Sequence, residues 1–143
     1  MPQILFLCTG NYYRSRLAEM LFNHWAEAQK SPWQADSRGL RITGLNVGPL
    51  SQHTKKGMVD NDIPLPEVLR MPIPAKEADF WRADKIIAVK EAEHRDMMRE
   101  LFPHWVDRVE YWHVHDLDVH TPEQALPELV SLVRKTFGAL HAK

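Results

Sequence analysis

The chain has 143 residues, enough for one well-buried domain and too few for two. Its 44% hydrophobic and 26% charged residues are ordinary for a globular protein, and a formal net charge of −1 leaves no global field to draw nucleic acid or an anionic membrane. One cysteine excludes an intramolecular disulfide and a cysteine-rich zinc site and argues for reducing, cytoplasmic surroundings, while no apolar stretch has the length of a membrane span or the flanks of a signal peptide.

In chain order, the apolar run at 4–7, between Pro2 and Cys8, predicts a short buried strand. Leu17, Ala18, Leu21, Phe22, Trp25 and Ala28 recur at helical spacing and predict a helix over 14–29 that Ser31-Pro32 stops. Residues 34–36 predict a second strand, 44–50 a loop and 52–60 a helix. Pro64, Pro66, Pro72 and Pro74 exclude long regular structure before a short helical piece at 77–81. A buried strand follows at 85–89, a helix at 91–102 with Met97, Met98 and Leu101 inward, a fourth strand at 109–114, and a last helix at 122–140. Strands alternating with helices predict a four-stranded parallel sheet covered on both faces, one three-layer domain over 1–143. Ligands of such sheets sit beyond the carboxyl ends of the strands, where Cys8 and Asp116 both fall.

Cys8-Thr9-Gly10-Asn11-Tyr12-Tyr13-Arg14-Ser15 carries the chemistry. A loop curling from a strand end into a helix N-terminus turns its N–H dipoles inward, which makes an anion cradle and favours a thiolate at Cys8. Gly10 and Asn11 tolerate the backbone angles of a tight curl. Arg14 can grip two oxygens of a phosphoryl group, and Ser15 can donate a hydrogen bond to the sulfur. The alternative is a buried structural cysteine with an arginine that only happens to begin a helix, although a cation sits badly at that end of the dipole. Position, spacing and local structure together point to cysteine-based phosphoryl transfer.

In these residues the chain resembles the low-molecular-weight protein tyrosine phosphatases. Their loop is a cysteine, five residues, an arginine and a serine, usually with Gly-Asn inside, and Cys8, Gly10, Asn11, Arg14 and Ser15 match it. Ala18-Glu19 fits the family's first helix, and Asp36-Ser37-Arg38-Gly39 resembles its Asp-Ser-Ala-Gly, whose serine braces the loop asparagine. The resemblance extends through 80–89 and 91–98. It implies a cysteinyl-phosphate intermediate, a phosphate site at residues 9–15 supported by Ser37, and a late aspartate as the acid. Asp116 fits that register, although Leu117 stands where proline is expected, and Asp118 is the alternative acid. The implied substrate is a phosphorylated protein or a small phosphomonoester, with no metal, no cofactor, no nucleic-acid or membrane partner, and a monomeric or weakly dimeric state.

The chain also departs from the family. Tyr13 replaces a frequent second loop cysteine, Arg16 the proline after Arg-Ser, and Lys90 an aspartate after the third strand; Leu45 stands where a crevice aromatic is sought, and Tyr12 should flank the entrance. These changes keep the phosphate pocket and alter the walls that grip a phenol ring. Two other readings share the loop: an arsenate reductase drawing on external thiols, since the chain has no resolving cysteine, and a catalytically weak oxyanion-binding regulatory module. His113, His115 and His120 read as surface histidines around a strand end. Trp25, Trp81, Trp105 and Trp112 are expected in the core.

Overall fold

The computed structural model describes residues 2–43, 48–67, 69–113 and 122–141. They form β1 (Gln3–Cys8), α1 (Arg14–Ala28), β2 (Gln34–Gly39), α2 (Gln52–Asp60), α3 (Glu77–Arg82), β3 (Lys85–Ala88), α4 (Glu91–Leu101), β4 (Glu110–Tyr111) and α5 (Pro122–Leu140). The sheet order is β2-β1-β3-β4 and every pairing within it is parallel. The chain order therefore reverses at β1, and its carboxyl end opens at the switch point where such sheets bind ligands.

Alternation along β1 divides the core. Ile4, Phe6 and Cys8 face a cluster built with Leu17, Leu21 and Phe22 of α1 and Leu129, Val133 and Phe137 of α5. Leu5 and Leu7 face the other layer, with Phe80 of α3 and Met98 of α4. Phe6 is fully buried and lies edge-on to Phe22, with ring centroids 6.2 Å apart, and 5.8 Å from Trp112. The sheet is thus apolar on both faces, as strands covered by helices require.

Several elements differ from the sequence reading. β2 runs on to Gly39 because its register pairs Ser37 with Phe6 and Gly39 with Cys8, so the ladder continues through polar residues. β4 is only two residues long; a 3₁₀ turn at Val106–Arg108 precedes it, and residue 114 lies outside the described residues. In α4 the predicted Met98 is fully buried and Met97 packs half-buried on the same cluster, but Leu101 is 41% exposed and the second buried position is His94. In α1, Ala26 is buried in place of Ala28. That helix ends one turn before Ser31-Pro32 acts: Lys30 adopts φ 53°, and Ser31 N–H reaches back to the Ala26 carbonyl at 2.8 Å, a left-handed C-cap. Trp105 and Trp112 are buried, but Trp81 is 70% exposed and lies edge-on to Trp105.

Candidate active site

Cys8 is the last residue of β1 and Arg14 the first of α1, so the five residues between them must reverse the chain over the sheet edge. The loop's carbonyls are tied outward. Leu40 N–H donates to the Cys8 carbonyl and Arg41 N–H to that of Thr9, both at 2.9 Å. Ser51 N–H donates to the Tyr12 carbonyl at 2.9 Å, and the Thr54 hydroxyl reaches the Tyr12 and Tyr13 carbonyls at 3.2 Å. In planar trans peptides the N–H of each such unit points the opposite way, into the curl. α1 begins without a side-chain cap and without an acidic residue in its first turn, so the positive end of its dipole is left for an anion.

One buried asparagine holds the curl. Asn11 is 0% exposed at φ 50°, in the left-handed region that asparagine tolerates better than most residues. Its Nδ2 donates to Ser15 Oγ at 2.9 Å and Ser37 Oγ at 2.8 Å, while Oδ1 accepts from Arg70 Nη1 at 2.9 Å and from Ile73 N–H at 3.1 Å. All four of its hydrogen-bonding positions are used. Ser15 Oγ, which accepts from Asn11, lies 2.9 Å from Cys8 Sγ, within reach to donate its proton to a thiolate there. Ser37 donates in turn to Glu19 Oε1 at 2.5 Å, and Arg70 Nη2 bonds Glu19 Oε1 at 2.9 Å and Ser37 Oγ at 3.0 Å. Burial pushes the Glu19 carboxyl up, against the Ser37 hydrogen bond and the Arg70 and Arg16 charges that pull it down.

Arg16, where relatives were expected to carry proline, is only 2% exposed, and its guanidinium donates to the Pro49 carbonyl at 3.3 Å and the Arg70 carbonyl at 2.9 Å. It ties two loops beside the curl to α1, and desolvation lowers its pKa below the ordinary arginine value.

Arg14 is nearly buried, and its Nη2 and Nη1 pair with the two oxygens of Glu93 at 3.3 and 3.5 Å. Thr9 donates its hydroxyl to the same carboxylate. Lys90 N–H donates to Nδ1 of the fully buried His94 at 3.2 Å, which places the ring proton on Nε2, 3.1 Å from Thr9 Oγ1 and 3.5 Å from Glu93 Oε1. The His94 hydrogen bond first, then the Thr9 hydroxyl and the Arg14 charge, hold the Glu93 carboxyl well below the usual carboxylate range despite burial.

The structure therefore brings together Cys8, Thr9, Asn11, Arg14, Ser15 and Ser37. Tyr12 and Tyr13 line the same curl half-buried, Tyr13 edge-on to the His53 ring with centroids 5.7 Å apart. Asp116, Asp118, Leu45, His115 and His120 lie outside the described residues. Among the described residues no three His, Cys, Asp or Glu side chains are grouped to hold a metal, and no helix is long and apolar enough to cross a membrane. Sequence reasoning missed Arg70 and Glu93. Arg70 sits in a proline-rich stretch without periodicity, and Glu93 reads as one of two acids, with Glu91, complementing the dipole of α4. The one available signal was Lys90: where an expected carboxylate is lost, another within one helical turn is the place to look.

A parallel sheet whose switch point carries a strand-end cysteine, a curled amide loop and an arginine is the arrangement that a cysteine-dependent phosphatase requires. The sequence matches the family model "Low molecular weight phosphotyrosine protein phosphatase" over residues 3–143, and the chain belongs to that family. Its fold is also that of solved structures: a Bacillus subtilis YwlE mutant (24% identity, TM-score 0.80, covering 99% of this chain and 100% of that one) and a low molecular weight protein tyrosine phosphatase from T. tengcongensis (24%, 0.79, 97% and 99%). The YwlE arginine phosphatase from Geobacillus stearothermophilus is similar as well (24%, 0.75, 98% and 93%). No curated protein matches the sequence.

Proposed function

We propose that Cys8 is the nucleophile of a phosphate monoester hydrolase acting on a phosphorylated protein or a small phosphomonoester. The Cys8 sulfur attacks phosphorus in line, an S–P bond forms as the P–O bond to the leaving group breaks, and Asp116 protonates the departing oxygen, with Asp118 as the alternative acid. The loop amides of residues 9–15 and the Arg14 guanidinium stabilise the equatorial oxygens as charge spreads over them. Water, deprotonated by the same aspartate, then cleaves the S–P bond and returns the thiolate. The observation that carries this reading is Ser15 Oγ lying 2.9 Å from Cys8 Sγ, at the mouth of an uncapped helix whose first residue is Arg14.

The test is hydrolysis of p-nitrophenyl phosphate by wild type, Cys8→Ser, Asp116→Asn and Asp118→Asn. Expected is loss of turnover in Cys8→Ser and a kcat fall of roughly 10²–10⁴-fold in Asp116→Asn, the usual size of a general-acid contribution. Turnover that survives Cys8→Ser overturns the mechanism, and loss in Asp118→Asn alone moves the acid to that residue. Two similar structures are described as arginine phosphatases, so a substrate panel pairs phosphotyrosine with phosphoarginine peptides. We propose further that the protein works in a reducing cytoplasm, a reading supported by its single free cysteine, and as a monomer or weak homodimer.

A further inference from the structure

We infer that Glu93 is a positioning residue of the phosphate site, fixing the plane of the Arg14 guanidinium from the first turn of α4. The inference rests on the phosphatase reading and deepens it. A carboxylate beside a phosphate-binding arginine either competes with the anion or orients the cation. Three features decide for orientation. Glu93 meets the guanidinium along its Nη1–Nη2 edge at 3.5 and 3.3 Å, and the second two-donor edge of an arginine is the one that includes Nε. The carboxylate is itself fixed by other side chains: Thr9 donates to it, and the buried His94 ring, set by Lys90 N–H, faces both. Lastly, Glu93 and His94 are adjacent on a helix packed on β3, so the anchor is a rigid element and not a loop. An arginine held on one edge meets the transition state on the other without first losing its own rotational freedom. Lys90 stands where the aspartate was expected; its side chain offers no carboxylate, and its backbone N–H helps fix the substitute one turn on.

The test is a double-mutant cycle in p-nitrophenyl phosphate hydrolysis, with Cys8→Ser as the control for the parent reading. Glu93→Gln is expected to lower kcat about tenfold or more while KM moves less than about threefold, and to change kcat less than about twofold when Arg14 is already Ala. The affinity for orthovanadate, which mimics the five-coordinate transition state, is expected to fall relative to that for phosphate. An unchanged or raised kcat, or an equal loss in both backgrounds, overturns the inference. If the wild type shows no Cys8-dependent turnover, the phosphatase reading fails instead. The vanadate-to-phosphate affinity ratio, measured by calorimetry, then decides Glu93 alone: a lower ratio in Glu93→Gln supports positioning, and an equal or higher one overturns it. Glu93→Asp, charged but one methylene short, is expected to lose in the same direction; it serves if the glutamine variant does not fold.

Discussion

Asn11 combines two demands in one side chain: a left-handed backbone and four hydrogen bonds reaching Ser15, Ser37, Arg70 and Ile73. Replacing it with alanine leaves a strained φ and strips buried partners from both sides. Asn11→Ala is expected to cost roughly 2–4 kcal/mol in urea unfolding and to lower kcat, because Ser15, 2.9 Å from Cys8 Sγ, loses the bond that holds it in the curl. Cys8, Asn11, Arg14 and Ser15 were legible in sequence because their residue types and spacing mark the curl within one short stretch between a strand and a helix. Arg70 and Glu93 were not, since their partners lie 59 and 79 positions away in the chain. Their residue types carried no mark of that.

At the scale of elements, β2 shows how tertiary pairing overrides propensity. Its polar stretch Asp36-Ser37-Arg38-Gly39 is a strand because β1 lies beside it, and the pairing delivers Ser37 to Asn11 and Gly39 to the base of the curl. A Cβ on Gly39 would sit 2.8 Å from Ile42 Cγ1, 2.9 Å from the Thr9 carbonyl oxygen and 3.0 Å from Asn11 N. Two of those atoms are loop backbone and cannot rotate away. Gly39→Ala is therefore expected to displace the phosphate loop, lowering kcat/KM at least about tenfold through misplacement of Arg14 and the amides, with a lower melting temperature by calorimetry. Helix α4 makes the complementary point. Its apolar residues suggested one buried face, but the packed positions include His94, whose ring is satisfied by Lys90 N–H and Thr9. Hydrophobic periodicity has no means of registering a histidine buried with its partners.

For the whole molecule, two carboxyls near the site give stability opposite dependences on pH. Glu93 has a native pKa below the ordinary 4.5, so it stabilises the fold at neutral pH; that contribution begins to fade as pH drops below about 4.5 and is gone once pH passes below the native value. Glu19 has a native pKa above 4.5, so ionising it costs the fold, and stability declines as pH rises from about 4.5 through its native value. Melting temperature measured against pH is expected to show a shallower acid limb in Glu93→Gln and a smaller decline above about 4.5 in Glu19→Gln. Unchanged profiles would mean that neither group is perturbed.

The amino-acid sequence alone determined the alternation of strands and helices, the parallel sheet and the cysteine loop at its switch point, because each rests on local periodicity or on neighbours within a single turn. Ser37 was already implied by the resemblance of Asp36-Ser37-Arg38-Gly39; tertiary structure decided the loop's other braces: Gly39 from a paired strand, Arg70 from a proline-rich segment, Glu93 and His94 from a helix beyond β3. Those contacts exist only once β1 is flanked by β2 and β3. Which polar side chain meets which is set by strand register and helix placement, and no pattern along the chain encodes either.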